Sequence, residues 1–181
     1  MLAVPKSYSP DGRFLLYSQI NADTGSGLLA IPLHGDRKPF LVAQTQGTGE
    51  FSPDGHWVAY TSNESGLSEI YVIPFPPTSS GGKWMVSRGG GVQPRWRRDG
   101  KELFFVDADR NLFAVEIKSF QPFVAGSPTL LFQSRIRSTA GSLRQYEVSR
   151  DGKQFLINSR PESNNTAPLV LVNNWQAGMK R

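Results

Sequence analysis

The sequence predicts an all-β protein: a β-propeller of four-stranded antiparallel blades, with four blades visible. Three observations predict it. An Asp-Gly pair recurs at Asp11-Gly12, Asp54-Gly55, Asp99-Gly100 and Asp151-Gly152, and its aspartates stand 43, 45 and 52 residues apart. Short strands repeated about every 40–45 residues mark propeller blades. Each pair lies between an aromatic or apolar residue (Tyr8, Phe51, Trp96, Val148) and a short apolar run. Helix signals are poor, since no long segment carries apolar residues at helical spacing between caps.

The elements follow in order within each repeat. Asp-Gly supplies the hairpin between the first and second strands, because Gly takes positive φ freely and Asp bonds nearby backbone. Pro10 and Pro53 set φ at two of the turn entrances. The second strands are expected at 14–17, 57–60, 103–106 and 155–157. On one face they carry Leu15 and Tyr17, Val58 and Tyr60, Leu103 and Phe105, Phe155 and Ile157. On the other stand Leu16, Ala59, Phe104 and Leu156. A strand apolar on both faces is buried on both, as in a blade between two others. Third strands are expected at 28–33, 69–73, 112–117 and 169–172, and fourth strands at 39–44, 83–87 and 129–132. Pro74, Pro76 and Pro77 stop the third strand of the second repeat. The repeats run from about 6–45, 46–88, 89–133 and 144–181, with polar loops at 133–144 and 161–168.

The chain has 181 residues, 38% hydrophobic and 19% charged, enough for one sizeable core and unlike a disordered chain. Eighteen glycines and thirteen prolines suit a turn-rich β protein. There is no cysteine, which excludes disulfides and thiolate metal sites. The net charge of +5 is scattered, so it reads as solvated surface and not as a nucleic-acid footprint. No apolar stretch is long enough to span a bilayer, so no membrane contact by this chain is expected. The first residues lack a basic segment followed by an apolar one, so they do not read as a secretory signal. They begin close to the first repeat, so the chain reads as part of a larger propeller.

Catalytic and metal-binding patterns are not evident. The four turn aspartates read as hairpin chemistry, since calcium needs several oxygen ligands close together. Asp107 and Asp109 read as a further hairpin turn. His34 and His56 lie in or beside turns without partners at metal spacing. A Gly-x-Ser-x-Gly nucleophile elbow is missing. Gly89-Gly90-Gly91 precedes no helix and so is no phosphate cradle. The expectation is no catalytic residue, no cofactor and no metal. The one local basic cluster is Arg95, Arg97, Arg98 and Lys101 around Trp96. Arg95 and Arg97 share a strand face, with Trp96 on the other, so the candidate contact for an anion or acidic partner is Arg95 with Arg97.

The Ser-Pro-Asp-Gly turns at Ser9 and Ser52, each before an apolar strand, resemble the repeats of TolB-like propellers, bacterial relatives of WD-repeat proteins. The stretch from Phe51 to Ser62, that from Gln93 to Leu103, and Asn174-Trp175-Gln176-Ala177-Gly178 resemble the propeller at the C-terminus of certain bacterial transmembrane serine/threonine kinases. The resemblance covers nearly the whole chain. It implies a recognition or sensor module for a protein or small ligand, on the extracytoplasmic side. Such propellers usually carry six or more blades, and this chain has neither the extra blades nor any kinase motif. Kinase activity would therefore lie elsewhere in a longer protein. An open ring of four blades would leave unpaired strand edges and tend to self-associate.

Overall fold

The Ser-x-Asp-Gly turn folds through its own side chains. In the first repeat Ser9 Oγ donates to Asp11 Oδ1 (2.6 Å) and accepts from the Phe14 N–H (2.9 Å), while Asp11 Oδ1 accepts from the Arg13 N–H (3.0 Å). Gly12 closes the turn onto the Ser9 carbonyl at φ 71°, the left-handed region where Gly carries no strain. The same bonds recur with Ser52 and Asp54, and with Ser149 and Asp151. In the third turn Arg97 replaces the serine and grips Asp99 with two guanidinium nitrogens, at 2.7 and 2.9 Å. These bonds hold the carboxyl groups of Asp11, Asp99 and Asp151 below the usual carboxylate range: Ser9, Arg97 and Ser149 respectively contribute most.

A computed structural model describes residues 2–21, 25–78, 81–139, 144–159 and 169–173. All four Asp-Gly turns join the first and second strands of antiparallel sheets. The first sheet is β1 (Leu2–Tyr8), β2 (Phe14–Asn21), β3 (Gly25–Pro32) and β4 (Phe40–Gln44), paired in that order. The second is β5 (Gly49–Phe51), β6 (Trp57–Ser62), β7 (Glu69–Pro74) and β8 (Trp84–Met85). The third holds β9 (Val92–Trp96), β10 (Glu102–Val106) and β11 (Asn111–Phe120), with β12 (Phe123–Ala125) and β13 (Thr129–Gln133) both along β11. The fourth holds β14 (Tyr146–Val148), β15 (Gln154–Asn158) and β16 (Leu169–Asn173). The blades of an all-β propeller are thus present.

Two elements depart from expectation. The edge strand expected at 83–87 shrinks to Trp84–Met85, because Ser87 turns its hydroxyl inward to the buried Glu69 and the Ile70 N–H. The third blade has an edge split in two. Its long β11 pairs with β13 near its start and with β12 near its end. β12 is unforeseen in the sequence because Pro122, one residue before it, reads as a breaker. The loop at 161–168 and the segment Asn174-Trp175-Gln176-Ala177-Gly178 lie outside the described residues.

Three cores join the four blades in series. Leu16, Leu28 and Ala30 of the first blade pack against Phe51, Val58, Tyr60, Tyr71 and Ile73 of the second. The opposite face of the second blade, with Trp57, Ala59, Ile70 and Val72, meets Trp96, Leu103, Phe105 and Val115 of the third. Phe104, Val106, Leu112 and Ala114 then meet Tyr146, Phe155 and Ile157 of the fourth. Residues of the second strand alternate between the preceding and the following blade, as period-two geometry dictates.

A candidate site where the inner strands converge

The short strands β1, β5, β9 and β14 open each blade and lie innermost. Each brings one charged side chain to the same place. Lys6, Glu50, Arg95 and Glu147 come from the four strands, and Arg144 precedes β14. Arg95 is the hub, with its side chain 2% exposed. Its Nη1 lies 3.9 Å from Glu50 Oε2, and its Nε lies 3.8 Å from Glu147 Oε2. Arg144 bridges the same two carboxylates, at 3.9 Å from Glu50 and 3.1 Å from Glu147. It also donates to the Lys6 carbonyl, which ties the fourth blade to the first.

The strands position these groups firmly. Arg95 Nη1 donates to the Pro94 carbonyl (2.6 Å), and Nε reaches the Tyr146 carbonyl at 3.4 Å. The guanidinium lies 5.7 Å from the Tyr146 ring centre, and the Tyr146 hydroxyl donates to the Gln93 carbonyl at 2.9 Å. Glu50 accepts from the Trp96 N–H at 3.0 Å, locking blade two to blade three. Burial pushes the Glu50 carboxyl up, against the pull of Arg95 and Arg144. Burial, helped by Arg144 and Arg95, lowers the Lys6 ammonium to about 8. Burial raises the Tyr146 phenol well above its ordinary value.

A cavity of about 460 Å³ opens over this cluster, between the Asp-Gly turns of the blades. Arg95, Glu50 and Glu147 line it, and the exposed Arg98 and Arg150 stand at its rim. Arg95 Nη2 is a buried donor without a hydrogen-bond partner among the described residues. With Arg98 and Arg150 beside Arg95 the lining carries three arginines, so the arrangement can take a carboxylate or another anion.

Of the two arginines singled out in the sequence, Arg95 lines this cavity and Arg97 does not. Arg97 is bound to Asp99 and to Glu102 (2.5 Å) in its own hairpin. Trp96 packs in the core between blades two and three. His34 and His56 are exposed in turns. Glu50, Glu147, Lys6 and Arg144 were not singled out. A signal for two of them exists: Glu50, Arg95 and Glu147 each stand four residues before a turn aspartate. Lys6 escapes that alignment because the register of β1 shifts between Pro5 and Ser7.

No protein-family model matches the chain, and no curated protein matches it. Solved structures do. TolB from Acinetobacter baumannii superposes with a TM-score of 0.69 at 17% identity, over 95% of this chain and 40% of that one. The Cps50 (Swd1) β-propeller domain of Myceliophteria thermophila gives 0.57 at 13%, over 93% and 55%. A puromycin hydrolase S511A mutant gives 0.63 at 16%, over 94% and 29%. With its antiparallel blades the chain is therefore a β-propeller. It spans 40% of the TolB chain and about half of the Swd1 domain. Likeness at this level of identity establishes the fold and leaves the activity to the site.

Proposed function

We propose that the chain is a non-catalytic recognition module that takes an acidic segment of a partner protein at the mouth lined by Arg95. One observation carries this reading: Arg95 is buried, yet one of its guanidinium nitrogens has no partner, and its side chain lines an open cavity. Arg98 and Arg150 at the rim add positive charge that draws an acidic segment in. The fold suits the role, since loops from several blades converge on one mouth. An acidic peptide, titrated by calorimetry, is expected to bind and to weaken as salt rises. Replacing Arg98 and Arg150 together by Ala removes most of that binding and leaves the fold intact, because both are exposed. Binding equal to that of a basic control peptide, or indifference to both substitutions, would refute the proposal.

A second reading places this module at the sensor end of a serine/threonine kinase on the extracytoplasmic side. It rests on the stretches from Phe51 to Ser62 and from Gln93 to Leu103, which resemble kinase-attached propellers. The coding sequence upstream of Met1 decides it: a kinase domain and an apolar span support the reading, and an unrelated neighbour removes it.

A further inference from the structure

Where the outer strands of the second and third blades meet, a groove of about 410 Å³ opens to solvent. Its volume falls within that of ligand pockets, about 300–1,000 Å³. β8 forms one bank, and β12 with the segment that follows it forms the other. Trp84, Phe123 and Ala125, which pack with the core between these blades, give it an apolar lining. The Trp84 and Phe123 rings stand 5.1 Å apart. Trp84 and Ala125 are only half-buried, so the groove leaves part of each open.

Both banks are open strand edges. Among the described residues β8 pairs only with β7, and β12 only with β11. In an antiparallel pair, successive residues turn their main-chain groups toward the partner and away from it in alternation. The Val86 N–H donates to the Ile70 carbonyl on β7 (2.9 Å), so the N–H and C=O of Met85 point to the open side. The side chains alternate as well: Trp84 and Val86 turn to the core, and Met85 is 50% exposed on the other face. Met85 still lines the groove, so what it brings there is main chain. An unpaired edge of this kind is a template for another strand.

The charges select the occupant. Arg88 and Lys118 line the groove, both are exposed, and neither has an ion-pair partner among the described residues. No lining residue carries a carboxylate. A basic segment would meet two like charges there, and an acidic one meets two opposite charges. The apolar lining calls for apolar side chains, and the open edge for an extended main chain. We infer that this groove takes an extended segment of a partner protein that carries both apolar and acidic residues. Its main chain pairs at Met85, its apolar side chains rest on Trp84 and Ala125, and its carboxylates meet Arg88 and Lys118. This site on the outer rim is separate from the mouth at Arg95 and does not depend on it.

The test selects short linear peptides displayed on phage against the whole chain, then titrates the enriched sequences as synthetic peptides. At least one enriched family is expected to be acidic and apolar, and to bind equally well after Arg98→Ala with Arg150→Ala, which sets it apart from ligands of the mouth. Arg88→Ala with Lys118→Ala weakens that family about tenfold, the worth of two exposed ion pairs. This pair melts with the parent, since both side chains are exposed. Strand pairing is read without altering the protein. Methylating the peptide amides of one alternate set, those facing Met85, abolishes binding, and methylating the other set leaves it. A selection that returns no binder or only basic ones overturns the inference. So does binding indifferent to the Arg88 and Lys118 substitutions, or binding that tolerates a methyl group on every amide.

Discussion

Among the described residues the middle strands β6 and β10 meet another blade on both faces, whereas β2 and β15 meet one on a single face. The sequence pattern is the same in all four. In the inner pair Val58, Ala59, Leu103 and Phe104 are all fully buried. In the outer pair Leu15 and Tyr17 are half-buried, and Leu156 is 43% exposed although its counterpart Phe104 is at 0%. The repeat therefore writes a two-faced apolar strand into every blade, and the neighbour decides whether that face contributes. Hydrophobic stabilisation follows the area removed from water, not the residue type.

The largest effect expected from this contrast lies at matched positions of β10 and β15. Phe104→Ala removes a fully buried ring that stands edge-on to Phe155 at 5.2 Å, and should cost about 3–5 kcal/mol. Leu156→Ala, at the same repeat position, should cost within about 0.5 kcal/mol of a surface substitution. Urea melts of the two variants check this, and equal losses would mean that the exposed face of β15 is covered in solution. A smaller difference is expected between Leu103→Ala and Leu15→Ala. The first should cost about 2–5 kcal/mol and the second clearly less, because Leu15 is only half-buried.

Smaller still is the contrast between turns. Gly55 and Gly12 both have positive φ, at 74° and 71°. Alanine at either enters the left-handed region at about 1–2 kcal/mol. Gly55→Ala should be the worse, since its Cβ would lie 3.3 Å from Pro10 Cδ, while nothing stands within 4 Å of one on Gly12. Thermal melts rank the pair, and a larger loss for Gly12 would contradict the packing between those turns.

The last contrast is read as a slope with pH. The folded Lys6 ammonium is lowered to about 8 by burial, then by Arg144 and Arg95, while an unfolded lysine titrates near 10.4. Between those values the unfolded chain binds more protons, so stability rises as pH rises through that window. Lys6→Met should flatten the slope, measured by denaturant midpoints at several alkaline pH values. In acid the sign follows the turns: Asp11, Asp99 and Asp151 are depressed, so their contribution holds above the unfolded carboxylate value and fades as pH falls below it.

The fold was legible because its signals are local. Ser-x-Asp-Gly bonds only to itself and to the next few residues, and strand alternation is a property of consecutive positions. The second strands accordingly appear where the apolar runs place them, three of them slightly longer than the run and β2 extending to Asn21. What escaped were edges. β8 shortened because Ser87 and Glu69, 18 residues apart, satisfy each other. β12 formed because β11 ran on past Ile117 and its extension found a partner.

The site was legible only in part, for a reason visible at Arg95 and Arg97. Strand alternation puts both on one face, but a face does not say which carboxylate is near. Arg97 finds Asp99 and Glu102 within its own hairpin. Arg95 finds Glu50 and Glu147 on two other blades, each about 50 residues away in sequence. The buried hydroxyls of Thr48 and Thr61 were less legible still, because both residues are unremarkable in the sequence and stand out only once burial leaves them unpaired.

By itself the sequence determined the blade: its turn, its paired apolar faces and its repetition, all set by backbone stereochemistry and side-chain period over a few residues. Tertiary structure alone decided which faces are covered, which charges meet at the inner strands and which hydroxyls are left unpaired. Those outcomes depend on contacts between segments tens of residues apart, where chain geometry places the groups and burial sets the strength of every charge and hydrogen bond.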